Sequence, residues 1–243
     1  MSNGFDLRQW VHGRILTWGW ELHRCGRAEQ GLGDAVRMME LRSIDMLFDV
    51  GANVGQFAQG LRQAGYRGRI VSFEPGSDAH RGLVANAAAD AGWTVAPRMA
   101  LGAETSEVVL NVAPYSEANS VLPIRSLHTE ILPGSAYTDS EAVHCGRLDD
   151  VASEYLRSGD RALLKLDVQG FEKQVLEGAE ELLRQCSGVY LELSTVPLYE
   201  GQALIDDVLG HLYTRGFRLW WIKPGFIDPS NGRLLQMDGL LFR

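Results

Sequence analysis

From residue 46 onward, short apolar runs alternate with longer stretches in which apolar residues recur every three or four positions. The runs DMLFDVG, RIVSFEP, WTVAPRMAL, ALLKLDVQG and GVYLELS read as strands. The stretches QFAQGLRQAG, SDAHRGLVANAAADAG, FEKQVLEGAEELLRQC and QALIDDVLGHLYTRG read as helices. Phe57, Leu61 and Ala64 share one face of the first; Val175, Leu176, Ala179, Leu182 and Leu183 share one face of the third. Strands this apolar, alternating with helices, predict an α/β fold with a parallel sheet covered on both faces. The stretches FRLWWIKP and GRLLQMDGLLFR around DPSNG predict an antiparallel hairpin added at one edge of that sheet.

Two segments depart from this rhythm. Over residues 5–42, Trp10, Ile15, Trp18 and Leu22 form an amphipathic helical stripe, and GLG at 31–33 breaks it in two. Such a stripe is first of all a packing surface, with a wall of a substrate site as the alternative. Over residues 103–150, the strand-like EVVLNVA and EAVHCGRL flank a loop rich in Pro, Ser, Asn and Tyr. A long loop inside a compact α/β domain is usually functional or disordered, and this one is read as a substrate-side insertion. The expected organisation is an N-terminal helical segment at 1–45 and one domain at 46–243 that carries the insertion.

Composition narrows the classes. A formal net charge of −8 and no basic patch argue against nucleic-acid binding. Cys25, Cys145 and Cys186 are odd in number, widely separated and without a CxxC pair, so reduced thiols in a cytoplasmic protein are expected rather than disulfides or zinc. No stretch approaches a membrane span, and the polar start MSNGFDLRQWVHGR lacks the apolar core of a secretory signal. His12, His23, His80, His128, His144 and His211 show no metal spacing, although His128 and His144 flank the insertion where a base would be useful. There is no G-x-S-x-G nucleophile elbow.

The candidate chemistry gathers at strand ends. The first strand stops at Asp49 and turns through Gly51-Ala52-Asn53-Val54-Gly55 into a helix. This is the nucleotide-binding corner of a doubly wound sheet, but Asn53 replaces the middle glycine of a dinucleotide fingerprint. RIVSFEP ends on Glu74, about 20 residues past the glycine turn, where an acid accepts hydrogen bonds from both ribose hydroxyls. An adenosine group without a pyrophosphate, as in S-adenosylmethionine, suits these features better than NAD. The stretches KLDVQGFE and LELS place Asp167 and Glu192 at adjacent strand tips, with Gln169 behind and Glu172 opening a helix. The two carboxylates form a convergent acidic site that takes a proton from a hydroxyl or holds a divalent cation such as magnesium. Each has a plainer reading, as an acceptor of turn amides or, for Glu172, a helix-dipole partner.

FDVGANVGQFA, VSFEP, MALG, GRLDDV, LLKLDVQGFEKQVLEGAEELL, LELSTVPLYEGQ and MDGLLFR, taken in order, resemble the FkbM-type S-adenosylmethionine-dependent methyltransferases over about residues 46–243. The resemblance implies a class I methyltransferase (Rossmann-like) sheet of seven strands, mostly parallel with the last antiparallel. It implies cofactor contacts from Asp49, Gly51, Ala52, Asn53, Gly55, Phe57, Glu74, Pro75, Ala100, Leu101, Asp167 and Gln169. Glu74 would take the ribose, and Ala100 and Leu101 would lie near the adenine. It makes Asp167, Glu192 and Glu172 the catalytic candidates and places Asn119 and Ser120 at the same cavity. It implies methylation of hydroxyls on sugars or other natural products. The expected activity is O-methyl transfer to a small-molecule hydroxyl. N-methylation, an NAD-dependent oxidoreductase and a catalytically inactive cofactor-binding scaffold are the alternatives. The N-terminal helices are left to cap the site or to pair two chains into a homo-oligomer.

Overall fold

The computed structural model describes residues 32–243, so the part of the expected 5–42 helical stretch before Leu32, with its tryptophans and Cys25, lies outside the described residues. Helix α1 (Leu32–Leu41) leads into β1 (Met46–Val50), α2 (Gln56–Ala64), β2 (Arg69–Phe73), α3 (Ser77–Ala87) and β3 (Trp93–Val95). Then follow β4 (Ala100–Leu101), β5 (Ser106–Val112), α4 (Ser126–Ile131), β6 (Asp139–Gly146) and α5 (Leu148–Ala152). The chain continues through β7 (Ala162–Leu166), α6 (Glu172–Glu177), α7 (Glu180–Gln185), β8 (Cys186–Ser194), α8 (Ile205–Thr214), β9 (Arg218–Pro224) and β10 (Gln236–Phe242).

Seven strands form one sheet in the order β3-β2-β1-β7-β8-β10-β9. β10 runs antiparallel to both neighbours; the β2–β3, β1–β2, β1–β7 and β7–β8 pairs are parallel. β1 and β7 are buried at every residue, as strands covered on both faces must be. One face packs on α5–α8 through Phe48, Leu164, Val175, Leu182 and Leu212. The other packs on α1–α3 through Leu47, Leu163, Met39, Leu61 and Leu83. The seven strands with an antiparallel last strand are those the resemblance implies. The expected hairpin is present at that edge, with β10 between β8 and β9 and β9 outermost.

Several bounds differ from the periodicity. WTVAPRMAL is two strands: β3 closes the main sheet, while β4 joins β6 and β5 in a separate three-stranded sheet. The insertion is thus a folded unit with its own hydrophobic cluster of Ala100, Leu110, Val143 and Cys145. The helix expected to run to Gly92 stops at Ala87. FEKQVLEGAEELLRQC is two short helices. A side chain at Gly178 would fall 1.9 Å from the Gly102 carbonyl oxygen, so the backbones touch there. Asp149 Oδ1 then accepts the N–H groups of Glu181 at 3.0 Å and Leu182 at 2.9 Å, capping α7 from outside. α8 starts later than expected, because Gln202 Oε1 accepts the N–H groups of Leu198 and Tyr199 and holds the preceding segment as a turn.

Candidate active site

At the carboxyl edge of β1 the backbone makes three left-handed residues within five: Gly51 (φ 71°), Asn53 (φ 48°) and Gly55 (φ 93°). Gly51 must lack a side chain, since a Cβ would lie 1.8 Å from the Asp167 carbonyl oxygen. The N–H groups of Gly51 and Ala52 both donate to the Phe73 carbonyl at 3.0 Å, tying the turn to β2. α2 begins directly after it, and its first N–H groups have no partner within the helix, which suits a ligand carboxylate.

Glu74 follows β2 and is 5% exposed. Its Oε2 accepts the Asn53 N–H and its Oε1 the Gly76 N–H, each at 2.8 Å. Burial pushes its pKa up to about 7, against the pull of those two N–H groups and of Lys165. Each carboxylate oxygen keeps a lone pair for a ligand hydroxyl.

β7 carries Lys165 and releases the chain into the turn of Asp167, Val168, Gln169 and Gly170. Gln169 is left-handed, φ 51°, an unusual conformation for a side-chain-bearing residue that its partners hold in place. Its Nε2 donates to Asp167 Oδ1 at 2.8 Å and to Glu192 Oε2 at 3.2 Å. Its Oε1 accepts the Tyr199 hydroxyl at 2.7 Å, and its carbonyl accepts the Ser120 hydroxyl at 2.7 Å. Gln236 Nε2 also donates to Glu192 Oε2, at 2.6 Å. Burial, then the Asp167 charge, raises the Glu192 carboxyl well above the ordinary range.

These elements enclose a cavity of about 980 Å³, counting its open mouth. Gly51, Ala52, Asn53, Phe57, Glu74, Pro75, Ala100, Leu101, Asp167 and Gln169 line it, with Asn119 and Ser120 from the insertion. Phe73, Met99, Leu110 and Phe171 complete an apolar slot beside Ala100 and Leu101. From the insertion, Ser116 and Glu117 lie across one side: Asn53 Nδ2 donates to Ser116 Oγ at 3.0 Å, and Gln56 Nε2 to Glu117 Oε1 at 2.9 Å.

Four expected site residues are placed elsewhere. Asp49 lies beneath the lining, wholly buried, with Ser72 Oγ donating to its Oδ2 at 3.0 Å and Lys165 Nζ 3.0 Å from its Oδ1. Gly55 backs onto the Trp93 ring. Glu172 turns inward: its Oε1 accepts the N–H groups of Val168 and Gly170 at 3.2 Å each, and burial pushes its pKa up to about 7. Glu192 stands behind Gln169, outside the cavity lining. Lys165, which does line the cavity, escapes the sequence reading, because a lysine inside a strand reads as a solvent-facing residue; its sole signal is position, two residues before Asp167 in an otherwise apolar run.

Magnesium is not supported. Gln169 and Gln236 both donate to Glu192 Oε2, and among the described residues no three His, Cys, Asp or Glu side chains group to hold an ion. The lining does fit an adenosyl group: a buried carboxylate with lone pairs to spare, an apolar slot, and N–H groups at the start of α2 without a partner inside the helix.

The model of the FkbM methyltransferase domain matches residues 49–219, from the glycine turn to β9. The chain belongs to the FkbM methyltransferase family. Among solved structures, this FkbM methyltransferase is similar to magnesium protoporphyrin IX methyltransferase from Synechocystis with bound S-adenosylmethionine, at 11% identity and TM-score 0.46, with 100% of each chain covered. It is similar to precorrin-6y C5,15-methyltransferase from Geobacter metallireducens, at 8% identity and TM-score 0.46, over 91% of this chain and 92% of that one. It is also similar to an S-adenosylmethionine-dependent methyltransferase from Mesorhizobium loti, at 12% identity and TM-score 0.44, over 86% and 96%. No protein of curated function matches it. No helix among the described residues is long and apolar enough to cross a membrane.

Proposed function

We propose that this FkbM methyltransferase transfers a methyl group from S-adenosylmethionine to a hydroxyl of a small molecule, a sugar or other natural product. The observation that carries the reading is that Glu74, the glycine turn and Asp167 face one cavity. When bound, the cofactor supplies an electrophilic methyl group on a sulfonium. Glu74 accepts the ribose hydroxyls, the N–H groups at the start of α2 take the carboxylate, and the slot of Phe73, Met99, Leu101 and Phe171 packs the adenine and keeps water out.

A hydroxyl is a weak nucleophile until it loses its proton, so oxygen methylation needs a base at the cavity. Asp167 is assigned that role. Gln169 fixes its Oδ1, its Oδ2 accepts no hydrogen bond from the described residues and lies 3.8 Å from Lys165 Nζ, and its side chain is 46% exposed. Glu192 is not assigned it, because burial beside Asp167 favours its protonated form. Holding the acceptor oxygen at near-attack distance supplies most of the remaining acceleration, roughly 7–11 kcal/mol. Residues 103–150 are assigned to the acceptor side, since Ser116, Glu117, Asn119 and Ser120 reach the cavity from there.

The test begins with calorimetric titration of the protein with S-adenosylmethionine and with NAD, beside Glu74→Ala. Binding of the former alone, weakened at least about tenfold in the variant, supports the cofactor assignment. Binding of NAD instead, or of neither, overturns it. A panel of hydroxyl and amine acceptors with methyl-labelled cofactor then separates oxygen from nitrogen. Asp167→Asn is expected to lower turnover on a hydroxyl by about 10²–10⁴-fold.

A further inference from the structure

Lys165 is the sole cation among the described residues that line the cavity, and it is 3% exposed. Its Nζ lies 3.0 Å from Asp49 Oδ1 and 3.8 Å from Asp167 Oδ2. The same ammonium donates to the Gly51 carbonyl at 2.9 Å and the Val50 carbonyl at 3.4 Å. A buried polar chain crosses four strands to reach it: Trp93 Nε1 donates to Ser72 Oγ at 2.9 Å, Ser72 Oγ donates to Asp49, and Asp49 pairs with Lys165. The register sets these side chains in one row, with Ser72 opposite Asp49 and Asp49 opposite Lys165. A buried charge persists only when it is paired and hydrogen-bonded, and Lys165 is both.

We propose that Lys165 is a positioning residue for the cofactor end of the site: its ammonium holds the Gly51 carbonyl and offsets the carboxylates beneath the cavity, so that Glu74 presents a charged carboxylate to the ribose. This rests on the S-adenosylmethionine reading above. Lys165 acts through the glycine turn, whose Gly51 carbonyl it holds, and through Glu74. Burial pulls the ammonium down, but Asp49 and Asp167 more than offset that and hold it above its ordinary range, so it stays charged. Glu74 is faced by Lys165 from β7, by Asp49 from β1, and by the Asn53 and Gly76 N–H groups of its own turn. Farther round the cavity stand Asp167 after β7, Glu117 from the insertion, and the Arg98–Glu141 pair beside Pro75. After burial and the two turn N–H groups, Lys165 favours the charged form of Glu74, and Asp49 opposes it.

The experiment is calorimetric titration with S-adenosylmethionine from about pH 6 to about pH 9, for wild type, Lys165→Met and Lys165→Arg. In wild type, affinity is expected to fall as the pH drops through about 7. In Lys165→Met the fall moves to higher pH, giving on the order of tenfold weaker binding at neutral pH and recovery at the alkaline end. Lys165→Arg keeps the wild-type profile. The amino group of the free cofactor titrates alike in every titration, so the difference between profiles reports the protein's side. Unchanged binding in Lys165→Met overturns the proposal, and a loss equal at every pH overturns the action on Glu74, leaving the hold on the Gly51 carbonyl alone; either result leaves the cofactor reading standing. Absence of binding by wild type overturns both. Should Lys165→Met not fold, Lys165→Gln removes the charge while keeping a donor for the Gly51 carbonyl and is expected to show the same displacement; no displacement there overturns the proposal.

Discussion

The Oε1 of Glu172 lies 3.2 Å from the backbone nitrogen of Gly170, and the same oxygen accepts the Val168 N–H at the same distance. One buried carboxyl at the start of α6 thus shapes the turn that carries Asp167 and Gln169. It stands beneath the site and lines no part of the cavity.

That placement has a stability consequence. Burial raises the folded pKa of Glu172 from 4.5 to about 7, against the pull of the turn N–H groups. Folded protein therefore keeps a proton that the unfolded chain has released, and the stability this gives is present below the unfolded value and lost as pH rises through about 7. Glu172→Gln keeps the accepting oxygen without the charge. It is expected to be more stable than wild type by roughly 1–3 kcal/mol at about pH 8, with the gain vanishing near pH 4. Urea denaturation at the two pH values checks this; an equal gain at both would assign the effect to packing.

The glycine turn and the second-strand acid were legible because they depend on local chemistry: Gly51 on a backbone angle, Glu74 on a fixed distance along the chain. The alternation of runs and helices gave the sheet, since strands buried on both faces have no polar side to show. What stayed hidden depends on contacts far apart in sequence. The break between α6 and α7 comes from Gly102 and Asp149 pressing on Gly178 and Glu181. The separation of β4 from β3 comes from its pairing with β6, through Ala100 opposite Cys145. Asp49 reads as a ligand by its place at a strand end, yet Ser72 and Lys165, from the neighbouring strands, claim it.

Gly51→Ala is expected to cost more than about 3 kcal/mol, because a left-handed backbone and a clash with the Asp167 carbonyl act together. Gly65→Ala is the control: it shares a positive φ of 113° but meets nothing within 4 Å, so only the backbone penalty of about 1 kcal/mol remains. Thermal denaturation of the two variants gives the comparison. Equal losses would mean that the touching backbones part readily.

Ser120→Ala removes a buried hydroxyl that donates to the Gln169 carbonyl and accepts the Leu122 N–H at 3.0 Å. The loss expected is about 1–3 kcal/mol, read from urea denaturation. A value near zero would show that the insertion and the Gln169 turn are held together by other contacts.

Removal of divalent cations is expected to leave S-adenosylmethionine affinity unchanged to within about twofold. The check is calorimetry in chelator, with and without added magnesium. A metal-dependent gain would mean that Asp167 and Glu192 exchange their amide partners for an ion.

The wall of the cavity assigned to adenine belongs to the insertion's sheet. Ala100 and Leu101 sit on β4, whose strand partner is β6. Arg98 and Glu141 then clamp that unit to Ser77, at the head of α3. The segment assigned to the acceptor therefore cannot be grafted from one family member to another as a free module. A transplant meant to alter the acceptor would carry part of the cofactor's grip with it, and a chimera's cofactor affinity would change along with its choice of substrate.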